Sequence, residues 1–278
     1  MSFRSLSCLL LLLPWAAGTV SAQQQQPLPS EQHASAVQTH AALPLEALPA
    51  VDEAALRAED ARGTDRIGPS RYGTVLNTTF SPTRTGTWEQ LPSGNWLWRL
   101  RLQSRDAVSM SVGLTPFRLP EGARLYLHGP KGDLVRGPYT ADDATNGQLW
   151  TPLVRGEEVI LELEVPQDRR SAVTLGVAHV VHGYRSLTSA RAPGAKSGTC
   201  NLDVACEEAD PWRPQVRSVG GYTFRRNQSA LTCSGALVNN TAQDGRPLFL
   251  TAEHCVSNAQ AAASMVFYWN FQTSTCRT

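Results

Sequence analysis

The chain has 278 residues, 41% of them hydrophobic, and a formal net charge of +1. That apolar content suits a globular protein rather than a disordered one, and the length allows one large or two ordinary domains. The near-neutral balance carries no electrostatic footprint for nucleic acid.

The first 22 residues read as a secretory signal peptide. Arg4 supplies positive charge, "CLLLLLPWAAG" (8–18) is a short apolar core, and "VSA" puts small residues before Gln23. Cleavage is expected after Ala22, which removes Cys8 and predicts a secreted protein. No run approaches the ~20 apolar residues of a membrane span, so none is expected. The rest of the leader, residues 23–66, divides in two. Residues 23–50 are rich in Gln, Pro and Ala with no apolar period and read as flexible. "VDEAALRAEDARG" (51–63) has helix formers, acidic residues in its first turn and Gly63 as a stop, so it predicts one short helix.

From about Arg71 the pattern turns to β. "YGTVLNTTF", "TGTWEQL", "NWLWRLRLQS", "AVSMSVGLTPFRL", "ARLYLHG", "LVRGPY", "LWTPLV", "EVILELEVP" and "AVTLGVAHVVHGY" follow one another across Gly/Pro turns such as "PSGN" and "GPKGD". In the third run Trp96, Trp98, Leu100 and Leu102 share one face, with Arg99 and Arg101 on the other. Short strands and no long helix predict a β-sandwich over 67–184. This region has no cysteine and shows no cluster of candidate catalytic groups. His179 and His182 read as ordinary strand histidines rather than ligands.

"RSLTSARAPGAKSGT" (185–199) reads as an exposed linker. The last segment holds Cys200, Cys206, Cys233, Cys255 and Cys276, every cysteine that remains after Cys8. In an oxidising compartment such a cluster predicts disulfides, and five leaves one over. Its strands are "VRSVGGYTF", "SALTCSGALVNN", "PLFLTA" and "MVFYWNF", with a turn or two of helix at "NAQAAAS".

"LFLTAEHCV" (248–256) sets His254 beside Cys255. A metal site is not expected: Cys200 and Cys206 are separated by five residues, and no C-x-x-C or H-x-x-x-H occurs. No cofactor is expected either. A loop histidine is the default for a lone His. His254 differs in that it follows a strand-like run, and Cys255 can staple the next position back to the sheet. That would hold the imidazole against a rigid element, as a general base requires.

"TCSGALVNN" (232–240) followed by "FLTAEHC" (249–255) resembles the chymotrypsin-like serine proteases. Within that clan "CNLDVAC" (200–206), "LVNNTAQDGRPLFLTAEHC" (237–255) and "VFYWNFQTSTCR" (266–277) are similar to the bacterial lysyl endopeptidases. The resemblance implies an all-β chain: a β-sandwich propeptide (67–184), a processing linker (185–196), and the first part of a chymotrypsin-like antiparallel β-barrel (197–278). It implies that His254 is the general base of a Ser-His-Asp mechanism, and that disulfides join Cys233 to Cys255 and Cys206 to Cys276. Cys200 is left without its partner. Glu253 stands where these enzymes often carry a second His, a position outside the triad. Implied partners are polypeptide substrates, cleaved after Lys or other basic residues, and the chain's own propeptide as intramolecular chaperone or inhibitor.

No Asp or Glu follows His254, and no G-x-S-G segment occurs, so the sequence is expected to be a C-terminally truncated precursor, inactive as it stands. Its two lysines are Lys131 and Lys196. Lys196, in the linker, is the expected processing site. The three N-glycosylation matches at Asn77, Asn227 and Asn239 read as chance in a bacterial type of protein. The competing reading is a secreted β-sandwich binding or inhibitory protein with a remnant protease segment.

Overall fold

A computed structural model describes residues 27–62, 68–132, 134–187, 202–272 and 274–276. The expected signal peptide, the helix stop Gly63, the processing site Lys196 and Cys200 lie outside the described residues. The fold is all-β, and its elements in chain order are α1 (Pro29–Gln32), β1 (Leu45–Ala47), α2 (Glu53–Arg62), β2 (Ser70–Phe80), β3 (Thr87–Gln90), β4 (Trp96–Gln103), β5 (Ser109–Arg118), β6 (Arg124–His128) and β7 (Arg136–Tyr139). Then come β8 (Leu149–Trp150), β9 (Val154–Arg155), β10 (Glu158–Val165), β11 (Thr174–Gly183), α3 (Arg213–Ser218), β12 (Val219–Arg226), β13 (Ser229–Val238), β14 (Leu248–Thr251), α4 (Ala259–Ala263) and β15 (Val266–Trp269).

Two sheets form. One has six strands in the order β1-β4-β10-β6-β7, with β3 also on β4. The other has nine, in the order β15-β12-β13-β2-β11-β5-β8, with β14 on β13 and β9 on β5. The period-two pattern of the sequence places their shared core. Trp98, Leu100 and Leu102 of β4 and Leu161 and Leu163 of β10 meet Met110, Val112 and Leu114 of β5 and Val177 and Val180 of β11. Each such side chain, fully buried, contributes about 1.5–3 kcal/mol. "LWTPLV" splits into β8 and β9 because Pro152, between them, has no N–H to give the ladder. α3 takes Val216–Ser218, which the sequence places in a strand, so that strand starts only at Val219.

The outer face of the first sheet departs from expectation. Residues 27–50, read as flexible from composition, carry structure instead. β1 runs parallel to β4, pairing Leu45 with Arg101 and Ala47 with Gln103, while Leu28 and Leu43 are buried. This covering buries the polar side of the strands. Arg99 is 1% exposed and ion-paired to Glu89. Glu162 is fully buried, in contact with Ser30, His40 and His128. Burial alone would push the Glu162 carboxyl up, but hydrogen bonds from His128, His40 and Ser30 outweigh it and hold the group well below the ordinary carboxylate range.

No residue of α2 is buried, so polar contacts dock it. Arg71 donates to Asp60 at 2.7 Å, and the Tyr184 hydroxyl donates to Asp60 at 2.8 Å. His182, buried on β11, bridges Ser104 (2.8 Å) on one nitrogen and Glu53 (3.1 Å) on the other. Ser104 is 1% exposed, which closes it to a substrate and makes this a structural anchor.

The second sheet runs through both segments of the chain. β2 pairs with β13, Thr74 facing Ser229 and Ser70 facing Thr232. Tyr72, Val75 and Val181 share a small core with Ala230 across that seam. Leu153 N–H donates to the Tyr268 hydroxyl at 3.1 Å. His179 stacks on Trp150 with ring centroids 5.4 Å apart, and its Nδ1 lies 3.0 Å from Asn77 Oδ1. The Arg225 guanidinium donates to His179 Nε2 at 2.9 Å. Burial, and then the Arg225 charge, hold the His179 pKa down at about 4, against an ordinary 6.5. The neutral ring is therefore the bound form. The unfolded chain takes up this proton at higher pH than the folded chain does. The group's contribution is thus complete above pH 6.5 and is lost as pH falls to about 4. His179→Gln keeps an amide partner for Arg225 and does not titrate. Thermal melts at pH 7 and pH 4.5 should show a smaller acid-induced drop in Tm for the variant than for the parent. An equal drop would remove His179 from the account.

Candidate active site

The site is built on three strands and two crosslinks. Gly235 lets β14 approach β13: a Cβ there would lie 2.5 Å from the Phe249 ring and overlap the Leu250 carbonyl. Pairing sets Gly235 against Thr251 and Val238 against Leu248. Thr251, the last residue of β14, is fixed from both sides. Its hydroxyl donates to the Ser234 carbonyl at 3.0 Å and accepts from Tyr222 at 2.6 Å. Burial pushes the Tyr222 phenol up, so it remains a donor across the physiological range.

The chain then turns at Glu253–Cys255, closed by Cys255 N–H donating to the Ala252 carbonyl at 3.0 Å. Cys255 is buried and bonded to Cys233 of β13. His254 is exposed on the turn. Arg226, at the end of β12, clamps it from beneath, its Nη2 donating to the carbonyl oxygens of His254 (2.6 Å) and Cys255 (2.8 Å). Tyr222, Phe224, Leu231, Cys255 and Ala261 pack into one small core under the turn. α4 closes it, with Asn258 as N-cap accepting from Ala261 N–H.

Cys206 is bonded to Cys276, closing a sequence separation of 70, and Cys233–Cys255 closes one of 22. In the chain-entropy model each contributes about 3–5 kcal/mol. His254 lies within 4.8 Å of the sulfurs of Cys233 and Cys255. Those sulfurs are bonded to each other, so they are not thiolate ligands and the trio is not a metal site. Sequence reasoning missed Arg226, Tyr222 and Thr251. Tyr222 and Arg226 lie four residues apart on β12 and so point to one face, but nothing in "GYTFRRN" announces that a carbonyl 28 residues on will be its acceptor.

A pinned strand end thus presents an exposed imidazole beside a disulfide, a placement that a general base could use. The lysyl endopeptidase N-terminal domain model matches residues 39–184, and the lysyl endopeptidase C-terminal domain model matches residues 194–278. The chain is also 25% identical over 222 residues to a lysyl endopeptidase of Pseudomonas aeruginosa, an alignment covering 75% of this chain and 48% of that protein. It spans about half the length of that relative. The sandwich and the His254 segment are each matched by a model of one family, and the chain belongs to the lysyl endopeptidase family.

Proposed function

We propose that this sequence belongs to the precursor of a secreted serine endopeptidase that cleaves peptide bonds after lysine or other basic residues, with His254 as its general base. The observation that carries the reading is the setting of His254, on a turn held to β13 by Cys233–Cys255 and clamped by Arg226. In this mechanism the imidazole takes the proton of a serine hydroxyl as it attacks the scissile carbonyl, then returns it to the leaving amine. An aspartate holds the ring's tautomer. The serine and the aspartate are not assigned to residues of this sequence.

The N-terminal sandwich acts as the propeptide, binding the protease segment through the β2–β13 ladder and the Arg225–His179 contact. Processing after Lys196 releases the enzyme. The sequence has Lys131 as its one other lysine, so a lysine-directed protease finds few further sites in its own leader and sandwich.

Three outcomes follow. In the natural gene product, His254→Ala should lower turnover of a lysyl peptide substrate by about 10⁴-fold or more; residual turnover near the parent's rate would refute the assignment. Arg226→Met should lower kcat by roughly tenfold with KM little changed, because it loosens the base and leaves the substrate pocket alone. Partial recovery with Arg226→Lys would mark a positioning residue, and equal loss of kcat and stability would not. N-terminal sequencing of the processed product should read from Ser197, and a start after Arg191 would point to a different processing protease.

A further inference from the structure

The outer face of the sandwich gathers a second set of chemically active side chains, from three distant stretches. Glu162 of β10 is fully buried, and its Oε1 lies 3.1 Å from His40 Nε2 and 3.2 Å from His128 Nε2. Ser30 donates to Oε1 through its hydroxyl at 2.5 Å and to Oε2 through its backbone N–H at 3.1 Å. His128 is also fully buried, and His40 is 21% exposed at its side chain.

The hydrogen bonding of His128 constrains what this cluster can hold. Its Nδ1 lies 2.7 Å from the Gly129 carbonyl oxygen, which can only accept. Nδ1 therefore carries the proton and donates it there. Without metal, a second proton on Nε2 makes the hydrogen bond to Glu162; on the neutral ring Nε2 presents a lone pair to a carboxylate oxygen with lone pairs of its own. A cation between the two turns that repulsion into two bonds. A carbonyl holding the far nitrogen is also the outer contact that metal-bound histidines make.

A serine relay fits less well. Ser30 Oγ and Glu162 Oε1 both lie 3.1 Å from the same nitrogen of His40, so nothing is passed through the ring, and Ser30 is buried. The spacing suits a metal. A tetrahedral zinc ion with nitrogen and oxygen donors near 2.05 Å has donor–donor edges of about 3.3 Å, and the three donor atoms here all lie within 4.8 Å of one another. Two imidazoles and one carboxylate form a nitrogen and oxygen set that zinc accepts.

We propose that His40, His128 and Glu162 bind one zinc ion, with the Ser30 hydroxyl or a water as fourth ligand, and that the ion fastens residues 27–47 to the outer face of the sandwich. His40 comes from the leader, and the other two come from the sheet, so the metal crosslinks the two. The site uses no residue of the protease reading and stands or falls apart from it.

The test is a zinc titration of the purified, chelator-stripped full chain against a competing chromophoric chelator, with cobalt(II) spectra as a second readout. One zinc per chain should bind with an apparent Kd below about 10 μM, Tm should rise with added zinc, and cobalt should give tetrahedral bands. His40→Ala removes the most accessible ligand and should weaken binding at least tenfold. Glu162→Gln should abolish it, and His33→Ala, in the same leader, should leave it unchanged. Absence of saturable binding overturns the proposal. So does binding of parental strength in both ligand variants, which would place the zinc elsewhere. Should Glu162→Gln fail to fold, the His40→Ala titration decides alone.

Discussion

The edge of β13 is the constraint on which the rest depends. β12 covers one side of the strand along Ser229–Ala236. The other side must be satisfied in two parts: β2 takes Ser229–Thr232, and β14 takes Gly235–Val238. An edge left open there would expose unpaired N–H and C=O groups, an invitation to foreign strands. Splitting the edge has two consequences at once. It draws the N-terminal sandwich and the C-terminal segment into one sheet. It also fixes the register of β14, hence the point where the chain leaves the sheet and turns at His254. A one-residue slip of β14 would carry Thr251 away from Ser234 and Tyr222 and turn Phe249 out of its core.

The strands were legible in the sequence because their physics is local. Alternation in "NWLWRLRLQS" predicts which side of β4 enters the core, and Trp98, Leu100 and Leu102 are there. His254 stood out for a different reason: the resemblance around "FLTAEHC" implied a role, and the adjacent cysteine offered a way of holding the turn, the Cys233–Cys255 bond. The covering of the first sheet was not legible. A Gln- and Pro-rich leader has too little apolar surface to announce a docking site, and it docks largely through polar groups. Glu162 lies in a run, "EVILELEVP", that reads equally well with its acids in water. His40 and His128 are 88 positions apart and carry no common spacing, so only the folded sheet brings them to one carboxylate.

Arginine is the chain's working cation, and the structure shows why lysine would not replace it. Arg101 grips Glu158 through Nε and Nη2, at 3.0 and 2.9 Å. Arg225 lies over Trp150 at 5.5 Å while bonding His179. Arg170 lies over both Trp88 and Trp96, 4.5 and 4.3 Å from their ring centroids. These contacts need a planar fork that stacks and donates in fixed directions, which an ammonium group lacks. Were cleavage confined to lysine, the same preference would leave the sandwich with Lys131 alone for its own enzyme to cut.

The molecule has two kinds of contact, and they differ in composition. Inside the sandwich the sheets meet through a continuous apolar core, and such burial holds regardless of pH. The seam between sandwich and C-terminal segment is different. It rests on a short run of ladder pairs, one small apolar patch, the Leu153–Tyr268 bond, and a neutral histidine facing an arginine. Hydrogen bonds exchanged with water contribute about 1 kcal/mol each, and a histidine next to a fixed positive charge is weakened by acid. A joint of this composition would, under the proposed maturation, form in a folding precursor and yield once the linker is cut, whereas an apolar seam of the same area would stay closed. Under the proposed maturation the polar character of the seam is therefore what lets one polypeptide both assemble on its own propeptide and later part from it.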